Sequence, residues 1–583
     1  MVKCHLLSVK VIAMSDSAEW GPDVVELVKK YALQNAVEYD GKGEVGSALG
    51  RILSEREDLR TRVRELMPLV NSEVESANSI AKKHGIGHIR LELMKMAPEA
   101  LDREKQQKNK GLKSLPGKTD GVVLRFAPNP NGPLSLGHSR GVVINSEYAN
   151  MYNGKVVLRF DDTDTRVKPP LPMAYKWIEE DFEWLSGKPA DVIIRASERM
   201  PVYLDYADRL LEDGHIYVCN CSAEEFRQFR ERMNECPCRG KKREENFSDW
   251  ESMKDGSLSE GSAVVRVKTD MSLPNPALRD WPAIRIQHEP HPMVGGEYKV
   301  WPLLDFQSAI EDHEQGVTHI IRGKDLMDST RKQTILYEKL GWIYPETLYW
   351  GRVKIHEFGG FSTSVIRKEI EQGDFEGWDD PRLPTIRSFR RRGFDSKAIK
   401  EFWIDLGLTQ KDIAISLQTV EAFNSSIIDS KAERRSFVVK PKIFDLEGLT
   451  EKKIVLSPKH PEGSIEGSRK FTIVKRVVVQ SSDVKKKIFR LKEFADVEIS
   501  GQRLKIQSED RSDDRPIIHW IPEEHSTSAR LLIPDGKKLD TVNGLIESSE
   551  LEIGKTYQLE RVGFARLDAI DDDGVAVLIW LHG

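Results

Sequence analysis

At 583 residues, with 39% hydrophobic and 31% charged side chains, the chain has a globular composition and length for about four domains. No apolar run approaches the ~20 residues that span a bilayer, and no small-residue cleavage site follows the moderately apolar stretch Met1–Ala13, so neither a membrane span nor a secretory signal is expected and the expected location is cytoplasmic. A net charge of −5 excludes a nucleic-acid surface spread over the whole molecule; any such surface must be a local concentration of Lys and Arg.

Residues 1–115 read as a helical extension, within which Met14-Ser15-Asp16-Ser17 looks like the natural start, with 1–13 ahead of it. Val24, Leu27, Val28, Tyr31 and Ala32 recur at helical spacing, as do Val45, Leu49, Ile52 and Leu53. Arg60, Arg62 and Arg64 read as a solvated basic turn. Residues 97–120, rich in Lys, Gln, Gly and Asp, read as a linker.

Residues 116–214 open an α/β region. Val122–Phe126 is a buried strand, and the three prolines of Ala127–Pro133 end it by removing amide donors. A helix follows from Leu134 to Met151, Gly154 ends it, and Lys155–Phe160 is a second strand leading to Asp161, Asp162 and Asp164. Such a βαβ unit offers the free amides and positive dipole end of its helix to phosphates. Residues 215–297 read as an insertion. It holds Cys219-x-Cys221 and Cys236-x-Cys238, with Cys4 alone elsewhere; in a reducing compartment two close pairs suggest a four-thiolate structural zinc site, the alternative being four packed thiols.

Residues 298–371 read as the second half of the α/β domain. Its segment Gly316–Asp325 reads as a turn, a buried strand and a polar strand end that carries Arg322, where open parallel sheets bind ligands. Residues 372–434 are helical and include the basic run Arg387, Arg390, Arg391 and Arg392. From 435 to 583, β-branched alternation between Gly, Asp and Pro turns indicates antiparallel barrels.

The run from Arg125 to Arg140 resembles the first signature of class I aminoacyl-tRNA synthetases in its glutamyl/glutaminyl form. Its core, usually His-hydrophobic-Gly-His, reads Ser135-Leu136-Gly137-His138. Similarity to archaeal-type glutamyl-tRNA synthetases extends from Ser15 onward and is strongest at 121–165, 298–393 and 556–568. The resemblance implies a Rossmann-type catalytic domain with an acceptor-binding insertion, a helical N-terminal extension and C-terminal β-barrels that bind the anticodon. It implies that Pro128, Ser135, Gly137, His138 and Thr363 bind ATP, with His138 donating to the α-phosphate. It places Arg125, Asp161, Trp301, Asp305 and Arg322 around L-glutamate, with Asp161 on the ammonium and the arginines on carboxylate. The second, lysine-bearing signature corresponds to Ser362-Thr363-Ser364-Val365; the usual lysine is absent, Lys368 or Arg367 one turn on would supply the charge, and Lys368, with Ser362 and Ser364, is the catalytic candidate there. Ser135 reads as a drifted position at which histidine would be tolerated.

The implied cofactors are ATP and Mg²⁺, besides the zinc. The implied partner is tRNA-Glu, with tRNA-Gln left open as a second acceptor, on a monomer. Its contacts would be Arg387, Arg390, Arg391 and Arg392 toward the acceptor limb and Lys485 and Lys486 near the anticodon. Two alternatives stay open: a glutaminyl-tRNA synthetase, against which Arg322 argues, and a non-catalytic tRNA-binding relative, motivated by Ser135 and Val365.

Overall fold

The computed structural model describes residues 20–583 apart from 40, 101–110, 360, 450 and 512–514. The expected start at Met14, the segment before it and Cys4 lie outside the described residues. The chain divides near residue 110 into two compact units.

The first unit contains α1 (Pro22–Glu38), α2 (Val45–Glu55), α3 (Val63–His84) and α4 (Ile86–Met96). Pro22 opens α1 where its missing N–H costs nothing. The apolar spacing puts Val28, Leu33, Ile52, Leu66, Val70, Ile89 and Leu93 into one core. The sequence-read boundary at 115 falls too late, because Leu112 and Leu115 pack into the core of the second unit.

That unit begins with β1 (Val123–Phe126), α5 (Leu136–Met151), β2 (Lys155–Phe160), α6 (Pro172–Ser186) and β3 (Val192–Arg195). The strands pair in parallel, Val123 opposite Lys155 and Val157 opposite Val192. After α7 (Met200–Glu212) the chain leaves this sheet for an antiparallel one of β4 (Ile216–Cys219), β5 (Val264–Val267), β6 (Pro282–Ile286) and β7 (Val300–Pro302), with α8 (Ala223–Glu231) and α9 (Arg243–Lys254) between β4 and β5. Because Val300 pairs with Ile286 and Pro302 with Ile284, the inserted sheet runs past the expected limit at 297.

The chain returns through α10 (Leu304–Glu314) to β8 (His319–Gly323), then through α11 (Met327–Leu340) to β9 (Glu346–Trp350), parallel to β8. Thr318 N–H donates to the Val123 carbonyl at 2.9 Å and Thr318 Oγ1 accepts from Val123 N–H at 3.0 Å, seating β8 beside β1. The three-stranded ladder β3-β2-β1 and the two-stranded ladder β8-β9 therefore lie side by side in that order. Direction of winding reverses between β1 and β8, the place where a doubly wound sheet opens a ligand crevice.

Next come β10 (Val353–Ile355), α12 (Thr363–Glu371), α13 (Ile386–Arg392), α14 (Ser396–Leu406), β11 (Ile413–Ile415) and α15 (Leu417–Ile428). The rest is β-structure: two seven-stranded, mainly antiparallel sheets and the hairpin Lys453–Pro458 with Ser468–Ile473. The chain crosses from one sheet to the other at Lys440, which takes a positive φ of 49° between Phe437–Val439 and Pro441–Glu447. Among the described residues no helix is long and apolar enough to cross a membrane.

Candidate active site

A cleft of about 810 Å³ opens at the carboxyl ends of β1, β2, β8 and β9. It falls in the size range of pockets that hold small ligands and cofactors. It brings together Arg125, Pro128, Gly137, His138, Asp161, Arg322, Ser362, Thr363 and Ser364 from five separated stretches of sequence.

One wall is the first turn of α5. Ser135 is its N-cap: Ser135 Oγ accepts from His138 N–H, and His138 Nδ1 accepts from Ser135 N–H, both at 3.3 Å. That reciprocal pair fixes the imidazole. With Nδ1 occupied as an acceptor, a neutral His138 carries its hydrogen on Nε2. Beside it, a Cβ on Gly137 would meet no protein atom closer than Ser135 Oγ at 3.7 Å. The fold itself leaves room for a side chain there, so protein packing does not require the glycine. Gly141 differs: a Cβ would stand 2.7 Å from the Phe126 ring, so this glycine serves the packing of α5 on β1.

The facing wall is the start of α12. Ser362 caps it, accepting from Val365 N–H at 3.4 Å, and lies 3.2 Å from Ser364 Oγ. Gly132 lets the proline-rich turn approach closely, since a Cβ would sit 2.7 Å from Thr363 Cγ2. Val365 is 40% exposed, and Lys368 is exposed one turn on without lining the cleft.

The inner end is ionic. Asp312 on α10 is fully buried and accepts from Arg159 Nη1 at 2.6 Å and Arg125 Nε at 3.3 Å. Arg159 also donates to Asp161 at 2.7 Å and Ser308 Oγ at 2.7 Å, and Gln307 Nε2 donates to Asp161 at 3.0 Å. Burial raises the Asp312 carboxyl, but Arg159, Arg125 and Arg322 outweigh it and hold the group below its usual range. Arg322, 5% exposed, donates from Nη1 to Gln333 Oε1 at 3.0 Å, and its Nε has no hydrogen-bond partner. Three arginines against two aspartates leave one positive charge. A single-negative amino acid would balance it and satisfy the buried donor.

Sequence reasoning missed Arg159, Lys168, Ser308 and Asp312. Arg159 had a signal, because strand alternation puts it on the same side as Asp161. Asp312 had none: on α10 it reads as part of a solvated face.

Two expected pocket residues are elsewhere. Trp301 is fully buried on β7, its ring stacked on His291 at 5.3 Å between centroids, and Asp305 pairs with Lys332 at 2.7 Å; neither lines the cleft. β7 was pulled into the inserted sheet, and Trp301 went with it.

The basic helix turns inward. Arg387 pairs with Glu180 at 2.9 Å, Arg390 with Asp181 at 3.2 Å and Arg391 with Asp568 at 2.8 Å. Arg392, 3% exposed, donates to the Leu581 carbonyl at 2.8 Å and is out of reach of an RNA backbone. Lys485 and Lys486 are exposed.

In the insertion, the sulfurs of Cys219, Cys221, Cys236 and Cys238 lie within 4.8 Å of one another. Cys219 and Cys236 are 3.9 Å apart, Cys221 and Cys238 3.7 Å. A tetrahedron of Zn–S bonds has edges of about 3.8 Å, so the set fits zinc with no position left for substrate.

Residues 121–430 match the model for the catalytic domain of class I tRNA synthetases (E and Q), and residues 517–568 match their anticodon-binding domain. The chain is 43% identical over 560 residues to a glutamate–tRNA ligase of Archaeoglobus fulgidus, covering 95% of this chain and 99% of the relative. It is 44% identical over 572 residues to a glutamate–tRNA ligase of Methanosarcina mazei, covering 95% and 98%. Against that of Pyrococcus abyssi it is 42% identical over 579 residues, covering 96% and 100%. Crevice, capped helix N-termini and matches over nearly the whole length agree: the chain belongs to the class I tRNA synthetases of the E and Q type.

Proposed function

We propose that this chain is a glutamate–tRNA ligase, activating L-glutamate with ATP and passing it to the 3′ end of tRNA-Glu. The observation that carries the reading is the inner end of the cleft, where Arg125, Arg159 and Arg322 face Asp161 and Asp312 with one positive charge in excess. The γ-carboxylate of glutamate would meet Arg322 and its unpartnered Nε, and Asp161 would take the ammonium. A glutamine amide brings no charge to balance the excess.

The glutamate α-carboxylate then attacks the α-phosphate of ATP and releases pyrophosphate. His138 Nε2–H would donate to the α-phosphate as charge grows, and Ser362, Thr363 and Ser364 offer hydroxyl and helix-N-terminal amide donors. Mg²⁺ accompanies ATP. No enzyme nucleophile is required, because positioning and charge stabilisation lower the barrier. In the second step the terminal ribose of tRNA takes the acyl group, while the C-terminal sheets, with Lys485 and Lys486 exposed, hold the anticodon loop. Cys219, Cys221, Cys236 and Cys238 hold a structural zinc. The protein works in the cytoplasm as a monomer.

Exchange of labelled pyrophosphate into ATP, with glutamate or glutamine and with or without tRNA-Glu, tests this. Exchange is expected with glutamate and tRNA. Preference for glutamine would pass the chain to the glutaminyl reading, and no exchange under any condition would pass it to the non-catalytic one. Charging tRNA-Glu and tRNA-Gln side by side decides acceptor range.

A further inference from the structure

The fully charged side chains lining the cleft are unevenly distributed. Arg125, Arg159 and Arg322 crowd the inner end, tied to Asp312, Asp161 and Gln333. The rest of the lining includes His138, the three hydroxyls of Ser362–Ser364, the carboxylate of Asp325 and a single lysine, Lys168. Val365 supplies no charge there. Lys168 lies near enough to His138 for its charge to be felt at the imidazole. It is exposed, and among the described residues it has no hydrogen bond or ion pair.

The backbone on either side of it is tethered, although its ammonium is unpaired. Asp164 Oδ1 accepts from Arg166 N–H at 3.1 Å and Val167 N–H at 3.0 Å, and Arg285 donates to the same oxygen at 2.8 Å. Pro169 and Pro170 follow, restricting the chain. Leu171 N–H then donates to the Pro130 carbonyl at 2.8 Å, fastening this loop to the proline-rich turn that packs on Thr363. A tethered loop thus brings a free ammonium to the same cleft that the first turns of α5 and α12 line.

A triphosphate placed at those turns brings three or more negative charges, while the hydroxyl and amide donors there are neutral. We propose that Lys168 is the cation that binds the polyphosphate of ATP, in place of a lysine on the α12 loop. This rests on the ATP-dependent reading above. Lys168 would donate charge-assisted hydrogen bonds to β- or γ-phosphate oxygens and stabilise the departing pyrophosphate as the α-phosphate bond to it breaks.

Lys168→Ala and Lys168→Arg in the full chain test it by pyrophosphate exchange with tRNA present, with KM measured separately for ATP and glutamate. Loss of a charged hydrogen bond predicts a rise of about tenfold to a hundredfold in the ATP KM, or an equal fall in kcat, for Lys168→Ala. The glutamate KM should stay within about twofold, and Lys168→Arg should recover most of the loss. Inorganic tripolyphosphate should inhibit Lys168→Ala more weakly than the unaltered chain by the same factor, while inhibition by adenosine is unchanged, which also reports an intact fold. Lys168→Ala kinetics indistinguishable from those of the unaltered chain overturn the proposal, and so does an effect confined to the glutamate KM. Absence of glutamate-dependent exchange in the unaltered chain would strike the functional reading instead.

Discussion

Ser135 shows how a residue that departs from a signature can acquire a local duty. Its hydroxyl and amide form the cap that orients His138, so histidine at this position would remove an N-cap acceptor and disturb the ring it faces. The cap geometry argues against the expected tolerance of Ser135→His. Ser135→Ala should cost about 1 kcal/mol of stability and Ser135→His at least as much, with exchange activity falling in both; thermal unfolding and pyrophosphate exchange measure the two effects. Unchanged melting and activity in Ser135→His would show that the cap is dispensable. Arg322→Gln removes charge while keeping a donor. It should raise the glutamate KM about tenfold or more, by loss of a charge-assisted pair on the order of 1.5–3 kcal/mol, and leave the ATP KM nearly unchanged. Equal effects on both would move Arg322 out of the amino-acid pocket.

At the scale of elements, α13 carries the clearest lesson about what the sequence can tell. Four arginines in a short helix read as a surface for RNA, yet their partners Glu180, Asp181, Asp568 and the Leu581 carbonyl lie far away in sequence. Nothing local distinguishes an arginine aimed at phosphate from one aimed at a distant aspartate. The βαβ unit was legible because its strand, turn and helix signals are contiguous, and so were Gly137, His138 and the carboxyl-end position of Arg322. Asp312 was not, since its role appears only when α10 packs beneath β1 and β2. One pairing on α13 also sets a pH dependence. Burial raises the Asp181 carboxyl to about 7 despite Arg390, so the folded protein keeps a proton that the unfolded chain releases from about pH 4 upward. The resulting penalty is absent below pH 4, grows as pH rises and is complete above 7, on the order of 4 kcal/mol. Asp181→Asn removes it. The melting temperature of this variant should rise relative to the unaltered chain between pH 5 and pH 8, whereas parallel curves would show that Asp181 stays ionised throughout.

On the scale of the whole molecule, the C-terminal sheets are part of the catalytic body as well as a reader of the anticodon. Phe564 and Leu581 belong to the same buried cluster as Phe389, Trp403 and the apolar face of α5. Asn424 Nδ2 lies 2.9 Å from His582 Nε2, and the turn between the paired strands Ser526–Asp535 and Lys538–Glu547 joins Lys537 to Glu369 on α12. A chain cut at 434 would thus lose core side chains together with its anticodon-binding region. It should fail in amino-acid activation and expose apolar surface, as read by dye binding; a soluble, activation-competent fragment would contradict this. Leu581→Ala is the gentler probe, expected to cost about 2–5 kcal/mol.

This has a temporal side. Every residue lining the cleft has been synthesised once the ribosome passes Ser364, but the layer under α13 is closed by strands that include residues 563–582. The parts that would do the chemistry emerge early and wait, and their scaffold is completed only when position 582 has left the exit tunnel. A nascent chain stalled shortly before that point holds every cleft-lining side chain but lacks the core layer that Phe564 and Leu581 supply.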